Sequence, residues 1–378
     1  MKEQPIQVVV FGSGDWLERL LPGLRKHGLT PDVVVGKSNP SDGQKRLNGM
    51  ELGSSRYISH AELQDLPVAN EAKALVLSRN ADNVPDSQSA LSRGIVQTLV
   101  EKPLALSLPE ARELLSAYEK QGGQLVSSDH YLVKARPLEF LWGRKDVSRE
   151  DIKAQNGRSL ESLFGAIREI GAITSVDAQL VEGGGDPHGK ITGREWLSDP
   201  TQGGVFWDLA VHLFAIGTRF NLLENLHARD ICARTYDPQS GSWRDVASFG
   251  SDPQAELMAS VRYINGKGIP IAVTVGKVGQ QKDIPLGKYF SIKGEKGIAF
   301  LDLQESRVDL SLRTGERAGI ILTTTPYELV VRDFKDALDG KRPDNIAEAV
   351  KAIGLVEEAK AYYNRSPAVN NIRPVLSP

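Results

Sequence analysis

Short apolar runs alternate with amphipathic stretches through the first third of this chain, and that alternation admits few folds. QVVVFG, PDVVVG, KALVLS, IVQTLVEKP and GQLVSSD read as buried strands. Between them lie segments with apolar residues at helical spacing, such as Leu17, Leu20, Leu21 and Leu24, or the stretch LPEARELLSAYEK. Parallel strands need a crossover, usually a helix, so this succession predicts an α/β domain with a doubly wound parallel sheet of Rossmann type.

The pattern changes past residue 129. ITSVDAQLVE, AELMASVRYI, IPIAVTVGKVG, KYFSIKGEKGIAFLDL and RVDLSLRT follow in succession, and several alternate with period two. Such alternation belongs to a sheet with two unlike faces. The expectation is an α+β C-terminal domain on a large, mostly antiparallel sheet, closed by helices at YELVVRDFKDALDG and IAEAVKAIGLVEEAKAYYN. The domains are therefore expected at 1–129 and 130–378, the second serving substrate binding and oligomerisation. A chain of 378 residues is also long for a single core.

Lysine and arginine number 46 against 48 acidic residues, which leaves no basic surface for general nucleic-acid binding. The single cysteine, Cys232, permits neither an internal disulfide nor a thiolate metal cluster. No apolar run approaches the ~20 residues of a membrane helix, and the N-terminus lacks the pattern of a signal peptide. A cytoplasmic protein with no metal, no membrane and no nucleic-acid partner is expected.

Gly12, Ser13 and Gly14 sit between the first strand and the first helix. Glycine there allows a tight turn and close approach to a pyrophosphate, which the helix N-terminus then meets with unpaired N–H groups. Leu17 stands where a third glycine of that motif is usual. About 20 residues on, where an acid normally binds the ribose diol, stand Gly36, Lys37 and Ser38. Lys37 and Ser38, with Arg46 nearby, suit a 2′-phosphate and hence NADP, with NAD possible; otherwise Lys37 simply starts a solvated loop.

Three further groups could carry chemistry. Glu101-Lys102-Pro103 closes a strand at the carboxyl edge, where Lys102 could stabilise negative charge on a substrate oxygen. Asp208 and His212 follow Gly203-Gly204 and are four apart, so they share one face of a regular helix. His212 could take the proton of an alcohol, or be a core histidine satisfied by Asp208. Asp129, His130, Tyr131 and Lys134 leave a strand at the domain boundary. Asp129 could orient His212, and the other three could hold a phosphate or several hydroxyls; an ordinary polar linker is the alternative. GGGDPHGKITGREW, with His188, Lys190 and Arg194, reads as a loop that either covers the pocket or decorates the surface.

Taken in order, strand-GxG-helix, EKP, and a glycine pair with D-x-x-x-H resemble the glucose–fructose oxidoreductase / inositol dehydrogenase (Gfo/Idh/MocA) family. LVLSRNADN, LVEKPLALSLPEARELL and FKDALDGKRPDNIAEAVKAIGLVEEA extend the likeness over nearly the whole chain. The resemblance implies an NAD(P)-dependent dehydrogenase or reductase acting on a CH–OH group of a sugar, sugar phosphate or cyclitol, assembled as a homo-dimer or homo-tetramer. It implies Lys102 near nicotinamide and substrate, His212 as acid/base, and Asp208 as substrate contact or orienting group. Asn80 and Glu101 fall at cofactor-contacting places, beside Gly12, Ser13, Gly14, Asp15, Trp16, Lys37 and Ser38. A local resemblance to glucose-6-phosphate dehydrogenases, in VVVFGSGDWLERLLPGL and DHYLVK, implies that Asp129 orients the histidine while His130, Tyr131 and Lys134 hold a sugar phosphate. The same scaffold also allows redox-assisted glycoside elimination with retained NAD, or dinucleotide sensing without turnover.

Overall fold

The computed structural model describes residues 6–183, 199–237, 240–249, 256–278, 286–341 and 345–365. The chain forms two compact units, Met1–His130 with Thr325–Val350, and Tyr131–Thr324 with Lys351–Pro378.

The first unit holds six parallel strands: β1 (Ile6–Phe11), β2 (Val33–Val35), β3 (Arg56–Ile58), β4 (Val68–Val76), β5 (Gln97–Glu101) and β6 (Gln124–Ser128). Their order is β3-β2-β1-β4-β5-β6. The winding reverses between β1 and β4, and such a reversal opens a ligand-binding crevice at the carboxyl ends of the strands. Val9, Val10 and Phe11 are fully buried, as a strand covered on both faces requires. Helix Asp15–Lys26 buries Leu17, Leu20, Leu21 and Leu24, the stripe expected from its sequence. Leu17 is thus a core residue at the place of the missing glycine.

Close helix contact is instead made nearly two turns later, at Gly23. A Cβ on Gly23 would stand 3.1 Å from Glu328 Cα, so the backbone of helix Pro326–Leu338 lies against this helix. Lys26 pairs with Glu328 at 2.5 Å and Arg19 donates to Tyr327 at 2.8 Å. The returning helix therefore completes the first unit.

The second unit is built on β7 (Ile152–Gln155), β8 (Ile173–Glu182), β9 (His227–Asp237), β10 (Ser242–Asp245), β11 (Met258–Ile264), β12 (Pro270–Lys277), β13 (Gly287–Gly294), β14 (Gly297–Asp302), β15 (Arg307–Leu312) and β16 (Arg317–Leu322). They form one sheet, ordered β10-β9-β11-β12-β8-β13-β14-β15-β16-β7. Every pairing is antiparallel except β12 with β8. Along β8, Val176, Ala178 and Leu180 are buried while Asp177 and Gln179 are half-buried, the two-faced pattern that period two encodes.

After Asp129 the chain leaves the strand as helix: His130–Lys134 is a helical turn followed by helix Arg136–Trp142. Tyr131 and Lys134, three apart, share a face. One expectation is corrected: the stretch around Asp208 is not a regular helix. Phe206–Ala210 is a π-helical turn leading into helix Val211–Arg219, and the wider turn changes the relative direction of side chains four apart. Among the described residues no helix is long and apolar enough to cross a membrane.

Candidate active site

In the first unit the implicated residues come from the carboxyl ends of successive strands. Gly12 follows β1 with φ of +95°, and a Cβ there would lie 2.6 Å from the Leu77 carbonyl oxygen. Only glycine fits this approach to the β4 end. Gly14 caps helix Asp15–Lys26, and a Cβ on it would meet nothing within 4 Å. An open glycine turn at a helix N-terminus, beside the switch point of the sheet, is a cradle that suits a pyrophosphate. Asp15 is exposed in the first helical turn. Its carboxylate favours the helix end but would repel a phosphate, so its backbone N–H is the group that suits an anion. Trp16 turns edge-on to the His130 ring at 4.9 Å, and His130 stacks on Tyr327 at 5.9 Å.

Beyond β2, Tyr57 fills the space that side chains at Gly36 and Gly43 would occupy, and its Oη accepts from the Ser38 N–H at 3.1 Å. Lys37 is exposed and pairs with Asp82 at 2.7 Å. Arg46 donates to the Ser13 carbonyl at 3.1 Å, which puts a guanidinium at the glycine turn. Beyond β4, Asn80 is buried, while Asp86 accepts from Ser78 and contacts His60 at 2.7 Å.

Glu101 and Lys102 are buried at the end of β5, and the Lys102–Pro103 peptide is cis. Asn83 clamps this segment: its Nδ2 donates to the carbonyls of Glu101 at 2.9 Å and Pro103 at 2.8 Å. Sequence reasoning singled out Asn80 and passed over Asn83; both lie in LVLSRNADN, and spacing alone does not tell which amide reaches the next strand. Asp129 is buried at the end of β6. The edge thus carries Gly12–Trp16, Lys37, Ser38, Asn80, Glu101, Lys102 and Asp129 in strand order.

In the second unit, His212 is 1% exposed and its ring meets that of Tyr131 edge-on at 4.6 Å. Asp208 does not stand alone with it. Lys277, at the end of β12 and missed by sequence reasoning, puts Nζ 2.9 Å from Asp208 Oδ2 and 3.6 Å from Glu182 Oε2. Lys288 pairs with Glu182 at 2.9 Å, and the Tyr131 hydroxyl donates to the same carboxylate at 3.2 Å. Burial alone would raise the Glu182 carboxyl; Lys277 and Lys288 outweigh it and hold the group at about 2. Lys134 lies 4.8 Å over the Tyr131 ring and donates to the Leu303 carbonyl at 2.8 Å. His188, Lys190 and Arg194 lie outside the described residues.

No curated relative matches the chain by sequence. Solved structures of similar fold include UDP-N-acetylglucosamine 3-dehydrogenase GnnA from Acidithiobacillus ferrooxidans, with TM-score 0.64, 13% identity, and coverage of 95% of this chain and 98% of that one. KijD10, a 3-ketoreductase from Actinomadura kijaniata in complex with TDP-benzene and NADP, gives 0.67 at 16% identity over 94% and 96%. Levoglucosan dehydrogenase, in complex with NADH and levoglucosan, gives 0.70 at 11% identity over 97% and 98%. Residues 6–130 match the family described as an oxidoreductase family with an NAD-binding Rossmann fold. The match is confined to the first unit and spans about a third of the chain; there the chain is similar to the Gfo/Idh/MocA oxidoreductases.

Proposed function

We propose that this oxidoreductase moves a hydride between NADP and a secondary alcohol or ketone of a sugar-like substrate. The observation that carries this reading is the row of groups from Gly12 to Lys102 along the carboxyl edge of the first sheet. A bound nicotinamide dinucleotide supplies the hydride acceptor or donor. Gly12–Gly14 and the N–H groups of Asp15 and Trp16 receive its pyrophosphate, and Asn80 and Glu101 line its path. Lys37 and Ser38, with Arg46, favour a 2′-phosphate over a ribose diol, because no carboxylate follows β2 among residues 36–38.

Lys102 donates to the reacting oxygen and stabilises negative charge there as the alcohol loses its proton. His212 takes that proton in oxidation and returns it in reduction. Asp208 orients the substrate hydroxyls, and Asp129 orients the histidine. Tyr131, Lys134 and His130 hold the far end of the substrate. The KijD10 complex with NADP and the levoglucosan dehydrogenase complex with NADH and levoglucosan support a nicotinamide cofactor and a sugar-like substrate.

We further propose a homo-oligomer formed through the outer face of the second sheet, where Ile298 and Phe300 are exposed and Phe300 stacks on Tyr289. Incubation with NADP⁺ or NAD⁺ and a panel of sugars, sugar phosphates and cyclitols, read by absorbance of reduced nicotinamide, tests the activity. Turnover with at least one polyol is expected. Dinucleotide binding without turnover on any of them, or in the reverse direction with the ketones, would favour a sensor instead.

A further inference from the structure

The charged groups of the second unit extend past Asp208 and His212 to a lysine with no assigned role. We propose that Lys277 is a positioning residue: it fixes the Asp208 carboxylate in an electrically neutral cluster with Glu182 and Lys288. The proposal rests on the reading of Asp208 and His212 as reaction residues.

Lys277 is 2% exposed. An ammonium so buried is retained only when paired. Its register partner on β8 is Glu182, in the parallel pair that joins β12 to β8. The two side chains therefore leave adjacent strand ends together, and Nζ reaches 2.9 Å from Asp208 in the π-helical turn. Glu182 is held in turn by Lys288 at 2.9 Å and the Tyr131 hydroxyl at 3.2 Å. Tyr131 lays its ring edge-on to His212 at 4.6 Å. Contacts thus run without a break from Asp208 through Lys277, Glu182 and Tyr131 to His212.

Lys277 and Lys288 balance Asp208 and Glu182. Among the described residues, Glu256 and Lys360 also flank this turn and engage the backbone of Phe206 and Gly203, while Lys134 lies over the Tyr131 ring and donates to the Leu303 carbonyl. With Lys277 in place, a cation 2.9 Å away favours the charged form of the Asp208 carboxyl and fixes its orientation. Without it, a buried carboxylate loses a cation 2.9 Å away, and the balance shifts toward protonation.

The test compares full-length wild type with Lys277→Met and Lys277→Arg, and with the double variant Lys277→Met/Asp208→Asn, which keeps the site neutral should the single variant fold poorly. NADPH affinity should be unchanged in all of them. In Lys277→Met, kcat should fall at least about tenfold with less change in KM, and the acid limb of the kcat profile should move up by about one pH unit or more. Lys277→Arg should recover much of both. Thermal stability of Lys277→Met should drop as pH rises from 5 to 8, and Asp208→Asn in the double variant should flatten that slope. An unmoved pH profile with only a stability loss means that Lys277 is a structural ion-pair partner and overturns the proposal. Absence of turnover in wild type as well would sink the dehydrogenase reading instead. The pH slope would then still report whether Lys277 sets the charge of Asp208.

Discussion

The Glu256 carboxylate occupies the space that a side chain on Gly204 would need. A Cβ there would lie 2.6 Å from the carboxylate, and Gly204 has φ of +73°. Glu256 accepts from the Phe206 N–H at 3.0 Å, so it anchors the first residue of the turn that carries Asp208. Lys360 completes the anchor: it donates to the Gly203 carbonyl at 2.9 Å and lies over the rings of Phe249 at 4.9 Å and Trp207 at 5.6 Å.

Gly204→Ala should therefore be costly. The left-handed backbone costs an L-residue about 1–2 kcal/mol, and displacement of a buried carboxylate adds to that. We expect a loss of about 3 kcal/mol in unfolding free energy, read by denaturant titration, and a fall in turnover because the Asp208 turn shifts. A loss under about 0.5 kcal/mol would show that Glu256 moves aside freely.

The same pair predicts a pH dependence. Burial raises the Glu256 carboxyl and lowers the Lys360 ammonium, each opposed by the other's charge. A carboxyl raised in the folded state stabilises below its unfolded pKa, and that contribution is lost as pH rises through the folded value. Lys360→Met removes the opposing cation and raises Glu256 further. Breaking a buried pair costs about 3–5 kcal/mol, and the loss should be smallest near pH 5 and grow toward pH 8. Melting curves across that range check this; parallel curves for variant and wild type would contradict it.

Much of this architecture was legible before the fold was known, and the omissions have physical causes. Strand β8 and helix Leu108–Lys120 coincide with ITSVDAQLVE and LPEARELLSAYEK, because each has one strong period. Strand β9 went unannounced: its first half, with His227, Arg229 and Asp230, is polar, and the buried positions begin only at Ile231. The π-helical turn is invisible to spacing, since D-x-x-x-H reads the same in either helix. Lys277 ends an apolar run and looks like a solvated strand end, and its burial follows from Asp208, a residue distant in sequence. Lys102 and His212 were singled out as candidates because short motifs surround them, whereas the Asn83 amide that clamps the Glu101–Pro103 segment shows only in the tertiary contact.

The cofactor preference is testable at Lys37. A charge-assisted phosphate hydrogen bond contributes roughly 1.5–3 kcal/mol, so NADPH should bind about ten- to a hundredfold more tightly than NADH by calorimetry. Lys37→Ala should narrow the gap. Asp82→Asn should widen it, because Asp82 holds Lys37 at 2.7 Å in the free protein. Equal or better NADH affinity in wild type would assign Lys37 to its ion pair alone.

His212→Ala should slow turnover by about 10²–10⁴, the usual contribution of a positioned acid/base, and leave dinucleotide affinity nearly unchanged. Near-normal turnover in this variant would make His212 a core residue packed on Tyr131.

Lys134 decides whether the substrate carries charge. Its ammonium donates to the Leu303 carbonyl at 2.8 Å and lies 4.8 Å over the Tyr131 ring. Lysine has three donors, so a substrate phosphate or carboxylate can be held while the carbonyl contact stays. His130 offers less than its place in the sequence implied, because its ring packs between Trp16 and Tyr327. If the substrate is anionic, Lys134→Ala should raise KM strongly and change kcat less, the pattern of binding lost equally from ground state and transition state. KM should also rise with salt, as screened charge attraction requires. If the substrate is a neutral polyol, Lys134→Ala should leave KM nearly unchanged and act through stability, since it removes the tie to Leu303. Steady-state kinetics of the variant at two ionic strengths, with a melting curve alongside, separates the two. A salt-independent KM with activity on uncharged sugars would rule out the anionic reading and leave Tyr131 and Asp208 to recognise hydroxyls alone.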